Sequence, residues 1–339
     1  MIMDIKPFFS FLLVVRNEEK YLEALLKSVL NQDFPCSKYE IIIVDGFSSD
    51  RTPEIINKYL YQYPSRIRFY QNPKQTLSSG WNIGIRHATG QYVIRVDGHC
   101  QIPKNFLSQT YAVIQKVPEA ACVGGVIKTK GKGFWGKVNA YVYSHPFGVG
   151  NSKFRTLNTN WEGYVDTVPY GAYRRDIFES VGYFREDLKR NEDLEMHARI
   201  RNQGGKFYLS TTIQSVYFAR DTLWGLIQKS LGDGKWTFIA AKKTKGVLRL
   251  RHYIPLLAFL SGLGLAVLSL FSQTFLLLFL GICMVYCLLV AFSAKDIINK
   301  HGWAYYFPAM LTFFILHFTR GLGSSLSFLS PEYWRKPWN

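Results

Sequence analysis

Residues 41–52 read Ile41-Ile42-Ile43-Val44-Asp45-Gly46-Phe47-Ser48-Ser49-Asp50-Arg51-Thr52. Alternate side chains of a strand point to opposite faces, so four consecutive branched apolar residues describe a strand that leaves water on both faces. Asp45-Gly46 is also a hairpin turn signal. The next segment, however, is Thr52 to Tyr61, with apolar residues at three- and four-residue spacing, which reads as an amphipathic helix and not as a returning strand. A buried strand, a short turn and a helix form the repeating unit of a mostly parallel sheet.

The same alternation runs outward in both directions. Phe9 to Val15, Ile67 to Tyr70, Tyr92 to Val96 and Ala120 to Val126 are further strand candidates, and Glu18 to Leu30, Leu77 to His87 and Lys104 to Val117 are helix candidates. Residues 127 to 165 show no clear period and read as a long connection able to cover a binding site. Asn191 is expected to cap a helix carrying Glu192 and Asp193 in its first turn and ending near Gly204-Gly205.

Charge divides the chain. Its formal net charge is +17, yet residues 252–339 hold only seven charged side chains. A head over residues 1–251 is therefore expected to precede a membrane region over 252–339. Tyr253 to Phe271 and Phe275 to Phe292 would each reach roughly 27 to 29 Å as helices, close to the hydrocarbon thickness of a bilayer. A third apolar segment, Trp303 to Thr319, contains Pro308 and is expected either to span or to be re-entrant. Lys242, Lys243, Lys245, Arg249 and Arg251 precede the first span, and Lys295 and Lys300 follow the second, so the positive-inside rule puts the head in the cytoplasm. Full passage of the third segment would leave Arg335 and Lys336 on the far side, mildly against that rule.

Several function classes are disfavoured. No zinc-finger spacing, basic zipper or RNA-stacking motif accompanies the positive charge, so nucleic acid is not the expected partner; the basic cluster before the first span suits anionic headgroups instead. Neither Gly-x-Gly-x-x-Gly after the first strand nor a phosphate-loop motif is present, which removes the usual phosphate cradle of dehydrogenases and ATPases. The five cysteines form no Cys-x-x-Cys pair and read as reduced and structural. Phe8 to Val15 is short and ends in Arg16-Asn17-Glu18-Glu19, so a secretory signal is not expected.

Instead, the expected strand ends carry acids: Glu18, Asp45 and Asp97. Ligands of open parallel sheets bind at those ends. Asp97-Gly98-His99 offers a carboxylate and an imidazole, able to hold a divalent cation whose remaining positions a donor diphosphate would fill; the imidazole suits Mn²⁺ better than Mg²⁺. Taken alone, Asp-Gly after a strand is more often a turn. Asp193 offers a general base, although acids in a first helical turn also interact favourably with the helix dipole and need no other purpose.

Taken together, Phe9 to Leu22, Ile41 to Thr52, Ala88 to His99 and Asn191 to Leu194 resemble the ordered motifs of family 2 glycosyltransferases, over roughly residues 8–240. The resemblance implies an α/β fold of the GT-A type, a mostly parallel sheet with flanking helices, followed here by C-terminal transmembrane helices. It implies that Arg16 and Glu18 meet the nucleotide and that Asp45 contacts the base. Asp97 and His99 occupy the positions for ribose and metal (Mn²⁺ or Mg²⁺), and Asp193 that of the base of an inverting displacement, with Glu192 in support. Val14 and Arg16 replace a frequent Pro and Tyr of the family, and His99 replaces an Asp. Asp97-Gly98-His99-Cys100 with the apolar tail more particularly resembles the succinoglycan-biosynthesis glucosyltransferase branch of bacterial exopolysaccharide enzymes.

The expected partners are a nucleotide-sugar donor, a saccharide or polyprenyl-diphosphate-linked acceptor, and a membrane, bacterial and inner. Gly232-Asp233-Gly234-Lys235-Trp236 resembles weakly the basic Trp motif of processive synthases; Lys235 would assist diphosphate departure or be a solvated lysine. A processive polymer synthase and a non-catalytic membrane adaptor of the same fold are the rival readings.

Overall fold

The computed structural model describes residues 7–157 and 159–335, so Lys336 lies outside the described residues. The chain forms two compact units: Met1–Lys128 with Leu157–Tyr217, and Thr129–Thr156 with Phe218–Asn339.

The first unit opens with β1 (Phe9–Val15), α1 (Leu22–Leu30), β2 (Tyr39–Asp45), α2 (Thr52–Gln62), β3 (Ile67–Gln71), α3 (Leu77–His87) and β4 (Tyr92–Asp97). β5 (Cys100–Gln101), α4 (Phe106–Lys116) and β6 (Cys122–Lys130) come next. All of β1 is buried, as are Ile41 to Asp45 of β2, the condition that their unbroken apolar runs predict. β1 lies between β2 and β4 and is parallel to both, and β3 is parallel to β2. Together with β8 (Ala172–Arg174) and β9 (Phe207–Phe218) from later in the chain, the sheet order among the described residues is β3-β2-β1-β4-β8-β6-β9-β5. β8 is antiparallel to β4 and β6, so the sheet is mixed but mostly parallel on the β1 side.

Two expectations in this unit shift. α1 begins at Leu22 and not Glu18, because Asn17 is left-handed (φ 56°) and residues 18–21 form a turn, with Tyr21 N donating to Glu18 O at 3.0 Å. The last strand of the series runs Cys122–Lys130, starting two residues later than Ala120 and continuing past Val126.

Residues 127–165 are not a structureless connection. They contain the end of β6, then α5 (Gly133–Ser144), α6 (Pro146–Val149), α7 (Lys153–Thr156) and β7 (Glu162–Val165). Gly136 and every residue from Val138 to Tyr143 are buried, so α5 is covered nearly all round and carries no amphipathic period to detect. The chain then returns to the first unit as β8 (Ala172–Arg174), α8 (Ile177–Val181), α9 (Glu192–Asn202) and β9 (Phe207–Phe218). Asn191, expected as an ordinary N-cap, is left-handed at φ 59°, not extended as a capping residue usually is.

The second unit continues with α10 (Leu223–Lys243), α11 (Leu250–Leu268), α12 (Gln273–Ala294), α13 (Asp296–His301), α14 (Tyr306–Ser327) and α15 (Pro331–Trp334). α11 and α12, the latter continuous in length with α13, are long and apolar enough to cross a membrane. Most of their large apolar residues are exposed, among them Leu263, Leu277, Met284, Leu288 and Phe292. The third apolar segment is a different kind of helix. Pro308 sits in the first turn of α14, where its missing N–H costs nothing, and the helix runs on through Arg320 to Ser327. Ala309, Thr312, Phe313, Leu316, Thr319, Gly323 and Ser327 form a buried stripe, and Phe313 and Leu316 share a core with Val138 and Val142 of α5 and Leu226 of α10.

α10 and α14 approach until their backbones nearly touch. A Cβ on Gly234 would lie 2.3 Å from Arg320 O, and one on Gly323 would lie 2.2 Å from Leu231 O. Ser230 Oγ donates to Leu316 O at 3.0 Å across the same seam. Small residues at a helix interface permit this packing in apolar surroundings, where close van der Waals contact replaces a hydrophobic driving force. Gly323→Ala should therefore destabilise the second unit by about 1 to 3 kcal/mol, read as a lowered thermal unfolding midpoint of the full chain in detergent, while Gly264→Ala on α11, where a Cβ meets nothing within 4 Å, should leave the midpoint unchanged.

Candidate functional site

Pairing places Val15 opposite Asp45 and Val14 opposite Asp97, so the loops after β1, β2 and β4 leave the sheet along one edge. Side chains lace the first two loops together. Asn17 N donates to Ser48 Oγ at 2.9 Å, Ser49 N to Asn17 Oδ1 at 2.8 Å and Glu18 N to Thr52 Oγ1 at 2.8 Å. Asp45 is buried and accepts from Ser48 N at 3.0 Å and from Ser48 Oγ. Its carboxylate thus holds the turn in which Gly46 and Phe47 are presented. Arg16 is exposed, its stem lying against Gly46.

β4 ends at Asp97, and Gly98 carries the chain to His99. His99 Nδ1 is 3.2 Å from Glu18 Oε1. A carboxylate only accepts, so Nδ1 carries the hydrogen in this contact and Nε2 is the nitrogen that points elsewhere for a ligand. A metal-binding imidazole is commonly oriented by a carboxylate on its far nitrogen in this way. Gly98 is required by the contact: a Cβ there would stand 2.7 Å from Glu18 Cγ. Asp97 Oδ2 accepts from Tyr170 OH at 3.2 Å. Among the described residues, no group of three His, Cys, Asp or Glu side chains forms a complete metal cage. Asp97 and His99 offer one carboxylate and one imidazole, donors of the kind that would suit a cation taking its remaining oxygens from a bound diphosphate.

Behind the edge lies Arg95, two residues before Asp97 and on the same face of β4. It is buried, with its guanidinium carbon 4.9 Å from the Trp81 ring and 5.0 Å from that of Phe184. Its Nε and Nη1 have no hydrogen-bond partner among the described residues. Burial opposes its charge, but Tyr173, Asp193, Glu192 and Asp97 favour it and push the group above its ordinary value. The cation is thus held by rings and by surrounding acids, with no hydrogen bond at Nε or Nη1. Tyr173 OH is 2.5 Å from His197 Nε2, and Thr167 Oγ1 is 2.7 Å from His197 Nδ1. Burial first, then the Arg95 and Arg201 charges, hold that imidazole well below its usual range, so it is neutral.

The left-handed Asn191 delivers the chain into α9, whose first two residues are the remaining acids. Asp193 is half-buried and accepts from Leu194 N at 2.8 Å. Glu192 is buried; burial foremost, and then the charge of Asp193, push its carboxyl up to about 7 against the pull of Arg95. The paired acids are therefore divided in character, one accessible and one buried. Lys235 lies on α10 in the second unit, 3.9 Å from Glu332.

Sequence reading missed Tyr170 and Arg95. The only local signal for Tyr170 is the neighbouring Pro169 and Gly171, which mark the turn where it adopts φ 45°. Arg95 is an isolated charge within an apolar strand run, the one feature that sets it apart.

Residues 10–182 match the sequence family described as "Glycosyl transferase family 2". A dolichyl N-acetyl-alpha-D-glucosaminyl phosphate 3-beta-D-2,3-diacetamido-2,3-dideoxy-beta-D-glucuronosyltransferase of Methanococcus voltae is 31% identical over 234 residues, 67% of this chain and 72% of that protein. Succinoglycan biosynthesis protein ExoA of Rhizobium meliloti is 26% identical over 247 residues, 71% and 72% of the two chains. Among solved structures, the mannosyltransferase PcManGT from Pyrobaculum calidifontis, in complex with GDP-Man and Mn²⁺, superimposes with a TM-score of 0.64 at 16% identity, covering 95% of this chain and 87% of that one. TarS 1-349 of S. aureus in complex with UDP-GlcNAc gives 0.51 at 21% identity, covering 66% of each chain. At these identities the structural likeness establishes the GT-A fold alone.

Glu192 has a consequence for stability. Its folded value lies above the ordinary 4.5, so the folded chain binds the proton more tightly than the unfolded chain, and the stabilisation present below about pH 4.5 is lost as pH rises through about 7. One proton sets a slope of at most about 1.4 kcal/mol per pH unit. Denaturant unfolding measured between pH 4.5 and 8 should show this decline in the parent and a flatter profile in Glu192→Gln.

Proposed function

This chain belongs to glycosyl transferase family 2, and from that premise we propose that it is a membrane-anchored, inverting transferase that moves a sugar from a nucleotide-diphosphate donor, a UDP-sugar in preference, to a lipid-linked oligosaccharide in surface or exopolysaccharide synthesis. Its anchor is α11 and α12, in a bacterial inner membrane, with the head in the cytoplasm. The observation that carries the reading is the combination, within one unit, of the Glu18-oriented His99 beside Asp97 with an accessible acid, Asp193, opening α9.

In this scheme the laced loops carrying Arg16, Glu18 and Asp45 receive the nucleotide, and Asp97 meets the ribose. Asp97 and His99 hold the divalent cation, Mn²⁺ or Mg²⁺, which supplies positive charge to the departing diphosphate when bound. Asp193 accepts the proton of the acceptor hydroxyl as that oxygen bonds to the anomeric carbon and the carbon–oxygen bond to the diphosphate breaks on the opposite face. One bond forms, one breaks, and the configuration inverts. Glu192, buried beside Arg95, supports the position of Asp193 without taking the proton. Lys235 has no step in this scheme, since its ammonium is 3.9 Å from Glu332. The Methanococcus relative is named for a dolichyl-phosphate-linked acceptor, and the Pyrobaculum and Staphylococcus neighbours hold GDP-Man with Mn²⁺ and UDP-GlcNAc. Those names support a lipid-linked acceptor, a nucleotide-sugar donor and a cation here.

The deciding assay supplies membranes holding the full chain with UDP-, GDP- and dTDP-sugars and lipid-linked saccharides, and follows nucleotide release and acceptor mass. A one-sugar gain that EDTA abolishes and Mn²⁺ restores is expected. Asp193→Asn should lower turnover by roughly 10² to 10⁴ without weakening donor binding. Long single-sugar products would replace the reading with a processive synthase, and a folded protein that neither binds nor turns over any donor would replace it with an adaptor.

A further inference from the structure

α14 turns uncharged residues to two opposite sides. On one side Thr312, Leu316, Thr319 and Gly323 are buried in the second unit. On the other, Phe307, Leu311, Phe314, Phe318 and Leu322 fall within an arc of about 80°. The first four are 72%, 47%, 49% and 45% exposed. The two basic residues of the helix, His317 and Arg320, lie outside that arc. A contiguous outer surface of phenylalanine and leucine needs a cover other than water.

The buried side of α14 decides how that cover can be reached. α10 carries Lys229, Asp233, Lys235, Lys242 and Lys243, charges that are expensive in hydrocarbon. The two helices run side by side in the same direction. Ser230 Oγ donates to Leu316 O at 3.0 Å, a Cβ on Gly234 would meet Arg320 O, and the rings of Phe238 and Phe328 are 5.8 Å apart. A helix tied to a charged neighbour over that length cannot traverse a bilayer without drawing those charges in with it.

The outer face is nevertheless continuous with the two helices long and apolar enough to span. The ring of Phe318 is 5.3 Å from that of Phe259, nine residues into α11, and the ring of Phe314 is 6.4 Å from that of Tyr286, eight residues before the end of α12. Those steps place the contacts roughly 12 to 14 Å from the helix ends flanked by cations, less than half of a hydrocarbon core about 30 Å thick. Trp303 and Trp334, 73% and 66% exposed, flank α14 as aromatic side chains do at a membrane–water interface. A chain that stays on the side of α10 also keeps Arg335 with the other cations, in accord with the positive-inside rule.

We propose that the outer face of α14 docks on lipid, lying in the plane of the leaflet on the side of α10, so that the chain crosses the membrane twice and residue 335 returns to the side of the head. The inference rests on the membrane-anchored reading above.

The test uses the full chain with Cys36→Ser, Cys283→Ala and Cys287→Ala; the remaining Cys100 and Cys122 are buried and take no label. Nitroxides on Phe307→Cys, Leu311→Cys and Phe318→Cys are read in vesicles of phosphatidylethanolamine and phosphatidylglycerol, by relaxation with oxygen and with a water-soluble nickel chelate. All three should meet oxygen more than nickel, at depths within about 5 Å of one another. A crossing helix would instead separate residues 307 and 318 by roughly 16 Å in depth and overturn the assignment. Labels that favour nickel, or that reach neither relaxant and broaden one another as a second copy would make them do, also overturn it. A second measurement leaves α14 unaltered: in inverted membrane vesicles, native Cys36 and a cysteine at Arg335→Cys should react with an impermeant maleimide from the same side, and reaction from opposite sides would reject the proposal. Labels at Leu263→Cys and Leu277→Cys separate the premise, since water contact there would remove the anchor itself and this docking with it. Sugar transfer is read apart from all of these, so loss of the transferase reading leaves the docking result standing.

Discussion

A buried guanidinium organises the acids of the first unit. A bare cation in a protein interior is costly, and Arg95 offsets that cost without hydrogen bonds at Nε or Nη1. It lies against the faces of Trp81 and Phe184, whose quadrupoles attract a cation, and amid the charges of Asp97, Glu192 and Asp193. The dependence is mutual. Without that positive charge, three carboxylates from a strand end and a helix start would be left to repel one another in partly desolvated surroundings. With it, the carboxyl of Glu192, pushed up by burial and by the charge of Asp193, is pulled back by the guanidinium. Acids from a strand end and from a helix start thereby share one fixed counter-charge.

Around that centre, precision comes from short loops and not from long elements. Asn17 and Glu18 hydrogen-bond across to Ser48, Ser49 and Thr52, and Asp45 holds Ser48 within its own turn, so two turns brace one another. His99 is aimed by Glu18 from one of those turns, and Asp97 is steadied by Tyr170 from the left-handed turn before β8. Each functional side chain therefore has its orientation set from a different part of the chain, an arrangement suited to chemistry that tolerates little positional error.

β1, β2 and β4 were legible because burial on both faces requires apolar runs, and α2 was read to within one residue of its observed end because Glu54, Asn57, Lys58 and Tyr61 stay exposed while Thr52, Ile56 and Tyr59 are buried. The same rule explains the failures. α5 is enclosed on nearly all sides, so no period marks it. The apolar segment bounded at Thr319 runs on to Ser327, and its less apolar end carries small residues for packing: Gly323 and Ser324 meet α10, and Gly321 meets α11 at Pro255 and Phe259. Glu18, Asp97, His99 and Asp193 could be named from their places after strands and at a helix start. Tyr170 and Arg95 could not, because their importance arises from neighbours distant in sequence.

The interrupted path of the second unit has a meaning for the order of synthesis. α5 is complete once residue 144 has been made, but Phe313 and Leu316, which share its core, belong to α14 and emerge some 170 residues later. At ordinary translation rates that interval is roughly 10 to 30 s. For that time Val138, Val142 and, later, Leu226 lack their final partners. The insert between β6 and β7 is therefore the part of the nascent chain that waits longest for its own interior, and it depends on the prompt arrival of the last helices.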